Sequence, residues 1–591
     1  MTIPLFLLAL CAVAHAQADD QVPLAAAPTD IWAALSAQVG GRLFEATPFA
    51  QPCFANATSP ECIAIQTAYQ NEKARTQHAG AYTWAQWETC PPRGEQCLLD
   101  HAVPADPDAT AAPNTCELGS IPPHFLDVRD ADDVIKAFEF SRTTGVPLVI
   151  KNTGHDFKGR SSGPGTLALW THNLKDISYD AAFVADGCTD AFPGVTAGAG
   201  VQIFEAFEFA EKRNITLVGG SDATVGFTGG FVQGGGHGVL SPVLGLAADR
   251  ALQFKVVTPD GQLRTANACQ NEDLFFALRG GGGGTFGVVL EATILAAPAA
   301  PVQVIVVTWA AKDAARTAAL WALLAEHVLG WADAGWGGYA MPELALFVTQ
   351  RLDKEAAAAS MAPLIAFGEA LQAEGVDGAM ALVMEFPSFL PFFTSFMTDA
   401  GGNAGAGKVG YSVALTSRLV PRANFATPAS RSALVDALLG ASAAGPLMII
   451  QITAPTAAAP ADLAPGRTSV TPAWRDSVYH VTSMLPWNWN ATAADQRASY
   501  KVASAAMDGV RAITPDAAYL NEADVYEPNH EGMCARSGVC VRALMRFCSV
   551  LLGRPLPELV SIKMKYDPDR LLDCWQCVGW DSESSRYSCY L

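Results

Sequence analysis

Hydrophobic positions change their period along this chain. From about residue 116 to 300, short β-branched runs (PLVIKN, 147–152; FVADG, 183–187; LQFKVVTPDG, 252–261; FGVVLEATIL, 286–295) alternate with amphipathic stretches such as DADDVIKAFEFSRTTG (130–145). A period near two beside a period near 3.6 predicts strands interleaved with helices. A second unit spans 301–515. Strands are expected at VQVIVVTWA (302–310), KVGYSVALTSRLV (408–420), PLMIIQITAPTA (446–457) and SVYHVTSMLPW (477–487), and helices over 311–328 and 354–375. That pattern predicts an antiparallel sheet covered by helices, and an α+β protein of two domains. Residues 17–115 are rich in Ala, Pro and Asp and read as an irregular, cysteine-containing segment; 516–591 form a separate C-terminal segment.

Composition narrows the class. With 591 residues, half of them hydrophobic, the chain can bury more than one core. A formal charge of −20 repels phosphate backbones and anionic lipid, so neither nucleic acid nor a membrane is an expected partner. Residues 1–16 read as a secretory signal: an apolar Pro4–Val13 stretch precedes Ala14-His15-Ala16. A secreted chain makes the N-x-Ser/Thr triplets at Asn56, Asn214 and Asn490 glycosylation candidates. Cys53, Cys62, Cys90, Cys97 and Cys116 are expected in disulfides of open pairing, and the lone Cys574-x-x-Cys577 reads as a disulfide rather than a metal site. No metal is expected.

Three glycine-dense stretches carry the chemistry. In Val146–Gly165, a strand enters a turn holding Gly154, Gly159, Ser161 and Ser162, with Lys151 and Arg160 adding charge. Glycines let a backbone approach a ligand, and successive N–H groups can cradle a pyrophosphate. His155 sits mid-turn; taken alone, it reads more readily as a structural histidine than as a ligand. In Leu217–Leu263, Gly219, Gly220, Gly226, Gly229, Gly230, Gly234, Gly235, Gly236 and Gly238 suggest backbone laid against a large planar ligand. The third stretch, Asn271–Ile294, matches GxGxxG at Gly282–Gly287. A helix-like DLFFALR precedes it and a strand-like run follows, the reverse of a Rossmann fingerprint.

Together these segments resemble the FAD-binding domain of the vanillyl-alcohol oxidase superfamily (the PCMH-type fold), in its berberine-bridge-enzyme-like fungal secreted branch. The resemblance implies a two-domain fold: an FAD domain over 116–300, a substrate domain over 301–515 and a tail, 516–591, returning to the FAD domain. Lys151, Asn152, Thr153, Gly154, His155 and Gly159 match the family's first motif, which makes His155 the covalent FAD anchor. Asp222 stands where many members have a second, cysteine anchor, so one covalent bond is expected. Thr224, Val225, Gly226, Gly229, Gly230, Gly235, Gly236, His237, Gly284, Val288 and Asn521, with Ser161 and Ser162, complete the expected cofactor set. A structural role for His237 is equally open. Valine at position 225 is associated in the family with access of O2.

The resemblance also places the catalytic base on the strand 477–487 or in the segment Ala518–Asp524. Tyr479, His480 and Tyr519 are candidates, while Thr482 and Ser483 lie near the expected position but are poor bases. Residues 533–556 depart from the family pattern and read as a retained intron or an error in the gene-derived sequence. The expected function is a secreted FAD-dependent oxidase acting on a small alcohol, sugar or secondary metabolite, with O2 reduced to H2O2. The alternatives are a flavin dehydrogenase with another acceptor and an inactive secreted protein of the same fold. No GxSxG elbow supports a serine hydrolase.

Overall fold

The computed structural model describes residues 29–398, 408–445, 447–460, 463, 468–527 and 556–591. The signal segment 1–16, Cys534, Cys540, Cys548 and the departing stretch up to 555 lie outside the described residues.

The first domain holds two sheets. In the smaller, His124–Asp127, Leu167–Trp170 and Leu148–Lys151 run parallel, and Leu43–Glu45 adds an antiparallel edge. The second is a five-stranded antiparallel sheet whose central strand is Val288–Leu295. Between the two sheets and the helix Ala131–Thr144 lies a core containing Val134, Phe138, Leu148, Leu169, Val257 and Val288. That helix starts where the Asp130 side chain accepts from Asp133 N–H, and stops at Gly145 in the left-handed region. The hairpin expected at TPDG forms, with Gly261 at φ +78° joining Ala251–Thr258 to Gln262–Asn267.

The helix Ile203–Arg213 shows how the two domains meet. It turns Ile203, Ala206, Phe207 and Ala210 inward, the spacing of one helical face. Phe207 packs edge-on to Phe389 and Phe393 of the second domain, with ring centres 5.0 and 4.8 Å away. Burying one such ring contributes roughly 2–3 kcal/mol.

The second domain is a seven-stranded antiparallel sheet in the order Met380–Phe386, Val302–Thr308, Leu344–Thr349, Gly337–Met341, Leu447–Ile452, Ser477–Trp487, Ser412–Pro421. One face is covered by the helices Ala314–Asp333, Ala362–Ala373 and Pro428–Ala444. The other face joins the core of the first domain through Val304, Val306, Tyr339 and Leu346. The helical pattern over 354–375 is broken at Met361, because Pro363 begins a new helix and cannot continue the old one.

The N-terminal segment is a bridge between the domains. Gln86 exchanges two hydrogen bonds with the backbone of Val413 on the edge strand. On the other side Thr83 Oγ1 donates to Gly154 O (3.0 Å) and Tyr82 Oη to Ser161 O (2.8 Å). Disulfides join Cys53–Cys62, Cys97–Cys116, Cys188–Cys269 and Cys574–Cys577, and Cys90 is bonded to Cys589, linking this segment to the C-terminus. Replacing Cys90 and Cys589 together by serine removes a cross-link between distant parts of the chain. It is expected to cost roughly 2–4 kcal/mol, seen as a lower melting temperature in non-reducing calorimetry.

Candidate active site

The first two glycine stretches meet at Asn152, and the third joins them at Gly230. A Cβ at Gly226 would lie 2.3 Å from Asn152 Oδ1, and one at Gly229 3.0 Å from its Nδ2. Gly283 and Gly230 bring two backbones together, a Cβ at Gly283 falling 2.9 Å from Gly230 Cα. Asn152 is held by donation to Thr171 Oγ1 and Ala199 O, and its own carbonyl accepts from Trp170 Nε1. The tail closes the arrangement from below: Lys563 Nζ donates to Thr285 O at 2.6 Å and pairs with Asp567.

The loop after the strand Leu148–Lys151 is organised by Asp156, which accepts from Lys158 N and Ser161 N, both at 3.0 Å, and pairs with Arg160. Arg160 also donates to Asn521 Oδ1 (3.2 Å). Ser162 Oγ is used within the loop and toward Ser120. Three expected ligands are reassigned by packing. Lys151 points its ammonium at the carbonyls of His78, Ala79 and Ala81 and over the Tyr82 ring, so it anchors the N-terminal segment instead of a phosphate. The Val288 side chain is enclosed between the two sheets. Gly159, at φ +70°, makes room for the Trp87 ring, which a Cβ would strike. Thr153 is buried.

His155 is held at one nitrogen. Its Nε2 lies 2.6 Å from Thr224 Oγ1 and 3.4 Å from Asp222 Oδ1. Thr224 Oγ1 is also 3.0 Å from Glu72 Oε2, and Gln202 fixes the Thr224 carbonyl. Burial pushes the His155 pKa below its ordinary value, and Asp222 opposes that shift.

A second cluster forms where the tail crosses the glycine loop. Tyr519 Oη accepts from Gly236 N (3.1 Å) and from Asn521 Nδ2 (2.9 Å), and Asn521 Nδ2 also lies 3.0 Å from Gly230 O. Next to it, the Glu522 carboxylate joins two histidines: Oε1 accepts from His237 Nε2 at 3.1 Å and Oε2 from His480 Nε2 at 2.8 Å. Among the described residues, their buried Nδ1 atoms have no hydrogen-bond partner. Burial works against charge on Glu522, but the histidines outweigh it and hold its pKa far below the usual carboxylate range. Burial lowers the pKa of His480 and raises that of Tyr519.

Tyr479 is corrected as a base candidate. It lies in the helix-covered core, edge-on to Phe425 at 4.8 Å, while its neighbour His480 points to the other face. Alternation along a strand makes the two mutually exclusive. Thr482 Oγ1 accepts from Gln451 Nε2 (3.3 Å), and Ser483 Oγ is buried with no hydrogen-bond partner among the described residues. Glu522 carries no motif signal of its own, although it lies in the Ala518–Asp524 segment expected near the flavin. Glu72 has no local signal either: only folding brings it to Thr224.

Both histidine–carboxylate clusters, His237–His480–Glu522 and Glu72–His155–Asp222, gather their polar atoms within 4.8 Å. In the first, each imidazole spends Nε2 on the carboxylate and offers Nδ1 no acceptor. That is the pattern of a hydrogen-bonded trio, since metal-ligating imidazoles use such acceptors for orientation.

The glycine bed suits a flat, polar-edged cofactor. A Cβ at Gly230 meets nothing within 4 Å, and one at Gly284 meets only Ile150 Cβ at 4.0 Å. Asn152 Oδ1 and Ser161 Oγ are buried there and have no hydrogen-bond partner among the described residues. Those features and the two-domain architecture fit FAD and define a PCMH-type flavoprotein. The FAD binding domain family model matches residues 122–267. The FAD-linked oxidoreductase ffsJ of Aspergillus flavipes is 34% identical over 95% of this chain and 94% of its own. The VAO-type flavoprotein MtVAO615 of Myceliophthora thermophila C1 superposes with a TM-score of 0.77 at 26% identity, over 96% of this chain and 98% of that one. Glucooligosaccharide oxidase of Acremonium strictum, a protein with 6-S-cysteinyl, 8α-N1-histidyl FAD, shares the fold at TM-score 0.58 and 19% identity, over 78% of this chain and 92% of its own. The chain belongs to the FAD-linked oxidoreductases, with the fold of the vanillyl-alcohol-oxidase-type flavoproteins, which berberine bridge enzyme shares. It is an FAD-dependent oxidoreductase.

Proposed function

We propose that the protein is a secreted oxidase of small alcohols, sugars or secondary metabolites, with FAD bonded to His155 and electrons released to O2 as H2O2. The observation that carries this reading is the seam made by Tyr519–Glu522, where one short segment ties the glycine loop at Gly230, Gly236 and His237 to His480 on the substrate-domain sheet. Bound FAD supplies a two-electron acceptor for hydride from a substrate carbon. The remaining task, removal of a proton, falls to the chain.

The His237–Glu522–His480 trio suits that task. Starting as imidazole–carboxylate–imidazole it carries one negative charge. One proton makes it neutral overall, which a buried setting favours. Tyr519 accepts from Gly236 and Asn521, and burial keeps its hydroxyl protonated, so it is a donor and orienter beside the base. Val225, at a position that the family resemblance puts beside the flavin, supports the oxidase reading. In glucooligosaccharide oxidase the flavin is 8α-N1-histidyl and 6-S-cysteinyl; Asp222 beside His155 supports a single bond here. Among the described residues no helix is long and apolar enough to cross a membrane.

The test is a panel of alcohols, oligosaccharides and phenolic metabolites supplied to the purified yellow protein, with H2O2 and flavin absorbance followed together. Bleaching under anaerobic conditions, and peroxide formed in step with substrate when air returns, is expected. Bleaching without peroxide would replace the oxidase with a dehydrogenase using another acceptor. A flavin that no substrate bleaches would count against an enzymatic role.

A further inference from the structure

We propose that Glu72, acting through the hydroxyl of Thr224, is the positioning residue that prepares His155 for its bond to FAD. The proposal rests on the covalent reading above and deepens it. It starts from the protons available in the Glu72–Thr224–His155–Asp222 cluster.

The Thr224 hydroxyl owns one proton, and carboxylates only accept. Oγ1 stands 3.0 Å from Glu72 Oε2, 3.4 Å from Asp222 Oδ1 and 2.6 Å from His155 Nε2, and the nearer carboxylate takes its proton. With its proton given to Glu72, Thr224 can only accept from the imidazole, so the hydrogen of His155 sits on Nε2. Asp222 Oδ1, 3.4 Å from the same nitrogen, reinforces that choice. The other nitrogen, Nδ1, then carries a bare lone pair. A nucleophilic imidazole must be neutral with one nitrogen unprotonated, and burial of His155 favours the neutral ring. The cluster therefore fixes both the tautomer and the reacting atom.

In the attachment step the lone pair of His155 Nδ1 becomes a bond to the flavin 8α-carbon, and one C–H bond of that methyl breaks. The C–H electron pair enters the flavin ring. Two protons are released: the methyl proton is taken up by the reduced flavin ring, the Nε2 proton passes along Thr224 to Glu72, and both leave in the H2O2 formed on reoxidation. The flavin is left reduced by two electrons, and O2 reoxidises it with formation of H2O2. As Nδ1 gives up its lone pair to the new bond, positive charge develops on the imidazole. Glu72 and Asp222 are the two negative groups facing it, in surroundings where charge pairing counts for more than in water.

Glu72 also ties cofactor attachment to the N-terminal segment. It begins the short helix Glu72–Thr76, whose start is fixed by Asn71 Oδ1 accepting from Ala74 N. This lies well before residue 122, where the match to the FAD binding domain begins. A correctly docked N-terminal segment is thus a condition for attachment.

The experiment compares the full-length wild type with Thr224→Val, Thr224→Ser and Glu72→Gln. Each protein is incubated in air with FAD, and acid-precipitable flavin is measured against total bound flavin over time. Melting temperatures are recorded alongside. Wild type and Thr224→Ser, which retains the hydroxyl, should attach their flavin fully. Thr224→Val, which keeps the shape without the hydroxyl, and Glu72→Gln should bind flavin yet attach it at least tenfold more slowly. Attachment at the wild-type rate in both overturns the proposal. So does slow attachment in Thr224→Ser matching Thr224→Val, since the hydroxyl would then be irrelevant. If wild type itself releases its flavin to the acid supernatant, the covalent reading fails first and takes this proposal with it.

Discussion

His155→Ala is expected to give a soluble protein that is still yellow, but whose colour moves wholly to the supernatant on acid precipitation. The two halves of that result have separate causes. Non-covalent binding comes from backbone: the approach of Gly226 and Gly229 to Asn152, and of Gly230 to Gly283, needs no imidazole. Retention through acid denaturation needs a bond that survives unfolding. Asp222, beside His155, carries no thiol and cannot make it, so loss of the histidine should leave no anchor. The check is the ratio of visible flavin absorbance in pellet and supernatant, with wild type retaining its colour in the pellet. Colour that remained in the mutant's pellet would place the anchor on another side chain. Turnover should also slow, because a flavin free to shift loses part of its alignment with substrate.

The meeting of the glycine stretches is legible in the sequence because close backbone approach leaves a compositional trace. Glycines crowded into three short stretches have few other uses, and their order relative to helix and strand is enough to exclude the Rossmann alternative. The strand carrying His480 is legible for a similar reason, through β-branched and aromatic alternation. What the sequence withholds is side-chain destination. Lys151 reads as a phosphate ligand because it is basic and next to a glycine turn, yet it turns to the carbonyls of residues 78–81. Tyr479 and His480 are neighbours with equal claims until the sheet assigns each a face. Glu72 and Glu522 are ordinary acidic residues along the chain. They acquire roles only through contacts spanning 152 residues to Thr224 and 285 to His237. The N-terminal segment reads as irregular but folds into short helices, Thr29–Gln38 and Pro60–Ala68 among them, whose apolar residues gather on no single face that a periodicity could reveal.

Glu522→Gln should be the most damaging single change to turnover that leaves the cofactor in place. Glutamine has one accepting oxygen and one donating amide where the carboxylate has two acceptors. It can still receive Nε2–H from one histidine. The other must reverse its tautomer or face a donor, and no carboxylate remains to balance an added proton. Loss of general-base function of this kind costs about 10²- to 10⁴-fold in kcat. KM, the flavin spectrum and acid-stable flavin should stay near wild type, since the change lies outside the His155 cluster. The pH profile gives the sharper check. The charged and titratable groups facing the trio are Tyr519 and Tyr339, with Arg160 beyond Tyr519. Burial pushes both tyrosines upward, so they stay protonated, and the proton taken up as pH falls belongs to the trio as a unit. Wild-type kcat/KM should therefore decline toward acid, as the trio is loaded before substrate can use it, and hold level above that limb. In Glu522→Gln the acid limb should shift or vanish. A variant with wild-type kcat and an unmoved limb would remove the trio from the chemistry and leave the base to be sought elsewhere along the seam.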